Sequence, residues 1–145
     1  MITFRSTNID DIGKILVLFD KVFGRKITYE YFLGKYSWNN ELTTYVACKD
    51  EKIIGHVGFS LRQYSRCSEL CLGASRHSSF VLDKHRKSGV YRLLNEYARG
   101  ELVKLGVDFI QAWPNKNNII STMKHKGIFG STYIPMLTRQ INGAL

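Results

Sequence analysis

Hydrophobic and polar positions along the chain follow two different periods. Ile12, Ile15, Leu16, Phe19 and Val22 or Phe23 recur every three to four residues, which predicts a helix with one apolar face. Asn8 followed by Asp11 predicts its N-cap with an acid at the third position, and Gly24 its stop. Thr28 caps a second, shorter helix carrying Tyr31, Phe32 and Tyr36, and residues 37–41 read as loop. Residues 2–5, 43–48 and 52–61 read as strands, the last two joined by a tight turn at Asp50-Glu51. A polar connection is expected over 63–69, followed by a bent strand over 70–82, where most residues are small or apolar. The helical period returns at Val90, Leu94, Tyr97, Ala98, Leu102 and Leu105, and Gly106 ends it. Residues 107–112 read as a buried strand, 114–126 as a helix closed by Gly127, and 132–140 as a last strand.

The order is therefore β-α-α-β-β-β-α-β-α-β. It predicts a mixed α/β (α+β) domain over residues 1–145, antiparallel at the start, with a parallel crossover near Val81 and Phe109. Composition changes this picture little: 44% hydrophobic and 23% charged residues suit a globular domain and argue against global disorder. No apolar run is long enough for a membrane helix, and Met-Ile-Thr-Phe-Arg-Ser lacks the pattern of a signal peptide. Cys48, Cys67 and Cys71 form an odd, sparse set, read as reduced thiols of a cytoplasmic protein. Net charge changes the picture more. At +9 the chain suits an anionic partner, whether nucleic acid, anionic lipid or a phosphorylated small molecule.

One stretch turns that charge into candidate chemistry. Phe80, Val81 and Leu82 end a strand, Asp83 to Gly89 make a short basic loop, and a helix follows. The first turn of a helix carries N–H groups without intrahelical partners, and its dipole favours an anion. A phosphate fits there, with Arg86, Lys87 and Arg92 adding charge. A plain strand-to-helix turn would use the same glycine.

The element order and three motifs resemble the GNAT N-acetyltransferase superfamily. The family's acetyl-coenzyme A motif is Arg/Gln-x-x-Gly-x-Gly/Ala, and this chain has Arg86-Lys87-Ser88-Gly89-Val90-Tyr91. Tyr91 departs from the small last residue, and Lys87 stands where a glycine is usual. Gly89-Val90-Tyr91 is similar to the version found in surface-polysaccharide and amino-sugar pathways. That branch also has a Pro-Asn-x-Asn turn thirteen residues before a glycine, like Pro114-Asn115-Lys116-Asn117 before Gly127, and a Lys-Tyr element like Lys35-Tyr36. The resemblance implies acetyl-coenzyme A as cosubstrate and no metal. It implies that the backbone of Phe80, Val81 and Leu82 pairs with the pantetheine arm. The amides of Lys87, Ser88, Gly89, Val90 and Tyr91 would face the pyrophosphate, with Asn115 and Asn117 contacting the coenzyme from the fifth strand. It further implies that a backbone N–H, of Val81 or Leu82, stabilises the oxyanion while a primary amine attacks.

The general base is less legible. Family members often place a glutamate about ten residues before the motif arginine, where this chain has Ser75, Arg76 and His77. Strand alternation would put Ser75, His77 and Ser79 on one face, so His77 is the candidate base, against a structural histidine. Asp83 and Glu69 are poorer placed. The family's tyrosine acid falls at Met123, although a thiolate leaving group needs little help near neutral pH. Cysteine and histidine spacings fit no zinc pattern. The basic stretches 84–92 and 124–126 also admit nucleic acid, but aromatic residues do not interleave with them as stacking platforms would. Arg25, Lys26, Lys35, Arg62 and Arg66 surround the expected acceptor side with few acids, which favours an anionic amine such as an amino sugar or sugar nucleotide. A family domain usually carries one more strand than this chain provides; an edge left open would favour a homodimer. Two alternatives stay open: a coenzyme A-binding module without catalysis, and a small basic protein that binds nucleic acid.

Overall fold

The computed structural model describes residues 1–66 and 68–112, which form one compact unit apart from the side chain of Arg66. The expected helix at 114–126, the strand at 132–140, and with them Asn115, Asn117, Met123 and Gly127, lie outside the described residues, as does Cys67.

β1 (Ile2–Ser6) leads through a 3-10 turn to α1 (Ile12–Phe23) and α2 (Tyr29–Tyr36). The polar ends of both helices match the sequence expectation. Asn8 and Asp11 form a reciprocal capping box, Thr28 caps α2, and Gly24 closes α1 in the left-handed conformation at φ 62°. The stretch expected as loop holds a small hairpin of β2 (Ser37–Trp38) and β3 (Glu41–Leu42). Its two-residue turn needs positive φ at both positions, which Asn39 (49°) and Asn40 (65°) tolerate. β4 (Thr44–Lys49) and β5 (Lys52–Arg66) then pair across Asp50 and Glu51, both also at positive φ.

β6 (Glu69–Val81) pairs antiparallel with β5 over its whole length, from Arg66–Glu69 to Gly55–Val81. The expected polar connection at 63–69 is therefore mostly strand. Gln63, Ser65, Ser68 and Glu69 are exposed on a hairpin arm, where the ladder needs no apolar partner. α3 (Val90–Lys104) crosses back to β7 (Phe109–Gln111), which joins β6 in parallel at Gly73–Phe109, Ala74–Ile110 and Ser75–Gln111. The parallel contact thus lies at the middle of β6 rather than near Val81. The sheet order is β1-β4-β5-β6-β7.

The two faces of this sheet carry separate cores. Val90, Leu94, Ala98 and Leu102 of α3 pack on Tyr45, Ala47, Val57, Phe59, Leu61, Ala74 and Val81. Ile12 and Ile15 of α1 and Phe32 and Tyr36 of α2 pack on Val46, Cys48 and Ile53 on the other side. Each such side chain contributes about 2 kcal/mol by leaving water. Among the described residues no helix is long and apolar enough to cross a membrane.

Candidate active site

β6 has two different halves. From Glu69 to Ser75 it is flanked by β5 on one side, and its last three residues there meet β7 on the other. From Arg76 onward, among the described residues, it pairs with β5 alone. This leaves one edge of Arg76–Val81 without a neighbouring strand where β6 approaches the start of α3.

The open half also contains a bulge. The register passes from Gly58–His77 to His56–Phe80, so Val57 alone faces Ser78 and Ser79. Ser78 takes φ +51°, a left-handed conformation that costs a side chain about 1 kcal/mol or more. The extra residue flips the alternation. His77 and Ser78 both face α2, Phe80 packs against Phe23 and His56 on that same side, and Ser79 turns to the opposite face. The expected row of Ser75, His77 and Ser79 is broken at this point. Ser75 is itself engaged, accepting a hydrogen bond from Gln111, whose amide also donates to Tyr64 Oη at 3.1 Å.

Two side chains hold the bulge. Tyr36 Oη lies 2.6 Å from Ser78 Oγ, and His56 Nδ1 lies 3.0 Å from the Ser78 carbonyl oxygen. A carbonyl only accepts, so Nδ1 carries the proton and Nε2 is the bare nitrogen. That Nε2 is buried with no hydrogen-bond partner among the described residues. His56 is 0% exposed between the rings of Phe32, Tyr36 and Phe80, and burial lowers its pKa to about 4. Burial likewise lifts the Tyr36 hydroxyl to about 12. The Tyr36 ring lies over Gly58, where a Cβ would come within 2.7 Å of it, so only glycine fits.

His77 is half-buried with Nε2 3.0 Å from Ser60 Oγ. Its pKa is lowered, first by burial and then by the positive charges of Lys35 and Arg62. The ring is therefore held toward its neutral form.

Main-chain direction sorts the three strand-end residues. Leu82 N–H donates to Ile54 O at 2.9 Å, so Leu82 points into the sheet, and strand alternation directs Phe80 the same way. Val81 points outward between them. Its carbonyl accepts from Arg86 Nε at 3.2 Å, and its N–H faces the open edge. The expectation that Leu82 could supply an oxyanion donor is corrected by this bond. Arg86 also pairs with exposed Asp83 at 2.9 Å, so its guanidinium braces the loop rather than standing free beside the helix.

Lys87 (φ 64°) and Gly89 (φ 78°) both bend through the left-handed region, and only the second is a glycine. Ser88 Oγ donates back to His85 O at 2.6 Å and so does not cap the helix. Among the described residues no side chain caps α3, and its first turn holds no acid. The amides of Val90, Tyr91 and Arg92 are thus open, with Arg92 beside them reaching to Glu96 at 2.9 Å. Tyr91 is half-buried against the α3-side core, which accommodates a ring where a small residue was expected. Asn95 donates to Tyr91 O at 2.7 Å and receives Arg76 at 3.2 Å, tying the helix start to β6.

Arg86 of the loop thus meets Val81 at the open edge of β6, whereas the His77 ring faces α2 and leans on Ser60 of β5. Neither the bulge nor the meeting of His56 with Ser78 is marked by a sequence motif. Gly55 and Gly58 flanking His56 inside a strand were the available signal, since strand glycines mark bulges and close approaches.

A model of the acetyltransferase (GNAT) family matches residues 12–122. No curated protein matches the chain by sequence. Among solved structures, AAC(6')-Iy in complex with the bisubstrate analogue CoA-S-monomethyl-acetylneamine is similar at TM-score 0.73 and 16% identity, covering 97% of this chain and 99% of that one. A predicted acetyltransferase from Clostridium acetobutylicum with acetyl-CoA matches at TM-score 0.68 and 12% identity, over 97% and 99% of the two chains. Glucosamine-6-phosphate N-acetyltransferase from Arabidopsis thaliana matches at TM-score 0.67 and 14% identity, over 93% and 99%.

Proposed function

The chain belongs to the GNAT acetyltransferase family, and from that premise we propose that it moves an acetyl group from acetyl-coenzyme A to a primary amine of an anionic small molecule, an amino sugar or sugar nucleotide. The observation that carries the reading is the start of α3, uncapped among the described residues, beside an edge of β6 that none of the described strands covers. The residues present fit the coenzyme. Open amides at Val90 and Tyr91, with Gly89 and Lys87 bending the loop beneath them, suit a pyrophosphate. The outward N–H of Val81 suits a ligand lying along the strand edge, whereas Phe80 and Leu82 contribute the wall behind it.

His77 takes the role of base in this reading. This role requires the tautomer in which Nε2–H donates to Ser60 Oγ, which leaves Nδ1 the free lone pair that accepts a proton from the incoming ammonium, directly or through one water. The Val81 amide donates to the oxygen that gains negative charge as the amine adds; collapse of the adduct breaks the C–S bond, and coenzyme A leaves as a thiolate that takes up the proton shed by the acylated nitrogen. Lys35 and Arg62, the two cations that act on His77, would pair with a phosphate or carboxylate of the acceptor. Structures of this fold carry both an anionic sugar phosphate and an aminoglycoside analogue in their names, so the anionic choice rests on the basic rim and not on these neighbours.

A second reading is a coenzyme-binding module without catalysis, favoured by the absence of a carboxylate among Ser75–Val81. Thermal stability and thiol release with acetyl-coenzyme A separate the two. Stabilisation with release in the presence of amino-sugar phosphates supports the transferase. Stabilisation with no release for any amine supports the module, and no stabilisation at all sinks both. Turnover of polyamines but not of amino-sugar phosphates or nucleotides would overturn the anionic acceptor.

A further inference from the structure

We propose that Tyr36 and His56 are positioning residues for acetyl transfer: they grip Ser78, the extra residue of the β6 bulge, from two sides and thereby fix how the His77 ring and the Val81 amide meet the substrates. The inference rests on the acetyl-transfer reading above. The bulge lies between the two groups that this reading uses, one residue after His77 and three before Val81. Strand alternation has a period of two, so one inserted residue exchanges the directions of everything beyond it. With Ser78 present, Val81 N–H faces the open edge and Leu82 N–H bonds to Ile54. Were the bulge smoothed out, Val81 N–H would turn into the sheet.

Ser78 does not hold this conformation by its own preference, since φ +51° suits glycine and it is a serine. The hold comes from outside. Tyr36 approaches from the end of α2 and His56 from β5, at 2.6 Å to the side chain and 3.0 Å to the carbonyl of the same residue. Gly58 makes room for the Tyr36 ring to reach it. His56 is an unfavourable choice for packing alone: it is fully buried among Phe32, Tyr36 and Phe80, and its Nε2 has no partner among the described residues. A leucine would fill that cage without an orphaned nitrogen. What the imidazole supplies is the Nδ1–H bond to Ser78.

The test compares folded variants in steady-state kinetics. His56→Leu is expected to lower kcat roughly ten- to hundredfold, as sub-ångström misplacement does, with KM for acetyl-coenzyme A little changed. His56→Asn, whose amide can donate near the place of Nδ1, should recover most of the loss. Tyr36→Phe should lower kcat by roughly tenfold in the same KM-neutral way. Unchanged kcat in folded His56→Leu overturns the proposal, as does Asn impaired equally with Leu. If the leucine variant does not fold, unchanged kcat in Tyr36→Phe overturns it instead. Nitrogen NMR of the His56 ring gives a readout that needs no turnover. A neutral ring protonated on Nδ1 at pH 6 supports the grip, and the Nε2–H tautomer overturns it. If the wild type turns over no amine, the acetyl-transfer reading fails while the ring tautomer still decides whether His56 holds Ser78.

Discussion

The start of α1 and the start of α3 are built in opposite ways. At the first, the capping side chains are paired with one another, although the neighbouring Thr7 hydroxyl is buried without a partner among the described residues. Asn8 and Asp11 cap each other through backbone and side chain at 3.0 Å, and Arg5 closes the corner with two hydrogen bonds to the buried Asp11 carboxylate. The bond from Arg5 holds the Asp11 carboxyl below the usual carboxylate range. At the second, α3 begins with open amides, Lys87 and Ser78 are held in a conformation that glycine prefers, and His56 Nε2 lacks a partner among the described residues. Open helix amides and two left-handed non-glycine residues lie on the side proposed above to bind the coenzyme, whereas the capped corner pairs its charges internally. This is the distribution expected when one region must leave donors free for a ligand.

Acid should separate the two regions with the largest effect. The pKa of His56 is 6.5 ordinarily and about 4 in the fold, so the native state binds fewer protons than the unfolded chain between those values. Stability therefore falls as pH drops from 6.5 toward 4, by about 3 kcal/mol from this group. The depressed Asp11 acts in the other window: its contribution is present above its ordinary 3.8 and is lost only as pH falls through its lower folded value. Urea midpoints against pH should show a shallower slope between pH 6.5 and 4 for His56→Asn. An unchanged slope would break the assignment.

Removing the closed corner comes next. Asp11→Ala should destabilise by about 2 kcal/mol, because it removes a cap and leaves Arg5 without its partner. Acetyl-coenzyme A affinity should stay unchanged, and a parallel loss of affinity would contradict the separation of the two regions. The converse substitution, Arg92→Glu, places a carboxylate in the open first turn of α3. Stability should hold, while Kd for acetyl-coenzyme A rises about tenfold, or about 1.4 kcal/mol. Calorimetric titration at low salt checks this, and unchanged Kd would remove the phosphate site from α3. The smallest effect is expected from Lys87→Gly. Relief of φ 64° should raise stability by up to about 1 kcal/mol in thermal unfolding, with a slight weakening of coenzyme binding through the lost charge.

Much of the scaffold was legible from local pattern. The helical face of Val90, Leu94, Ala98 and Leu102 was read from spacing, and the caps at Asn8, Thr28 and Gly24 from residue type. Two turns were legible only in part. Asp50-Glu51 reads as a turn from sequence, whereas Asn39-Asn40 reads only as loop although asparagine is at home at positive φ. The arm over residues 63–69 escaped because polar strands lack the apolar alternation that reveals a buried one. Of the candidate site, the loop at 86–91 was visible as a motif. The separate fates of Phe80, Val81 and Leu82 were not, because hydrogen-bond direction depends on the bulge and not on the three residues themselves.

By itself, the sequence determined the local elements, the two amphipathic faces and the basic turn that opens α3. These depend on spacing, capping chemistry and charge within a few residues of one another. The tertiary structure alone decided that Ser78 is an extra residue, that His56 and Tyr36 meet on it from 22 and 42 positions away, and that Val81 rather than Leu82 faces outward. The register of a strand is a property of the pair. It is set by packing between elements distant in the chain, and one residue of offset turns a donor from solvent into the sheet.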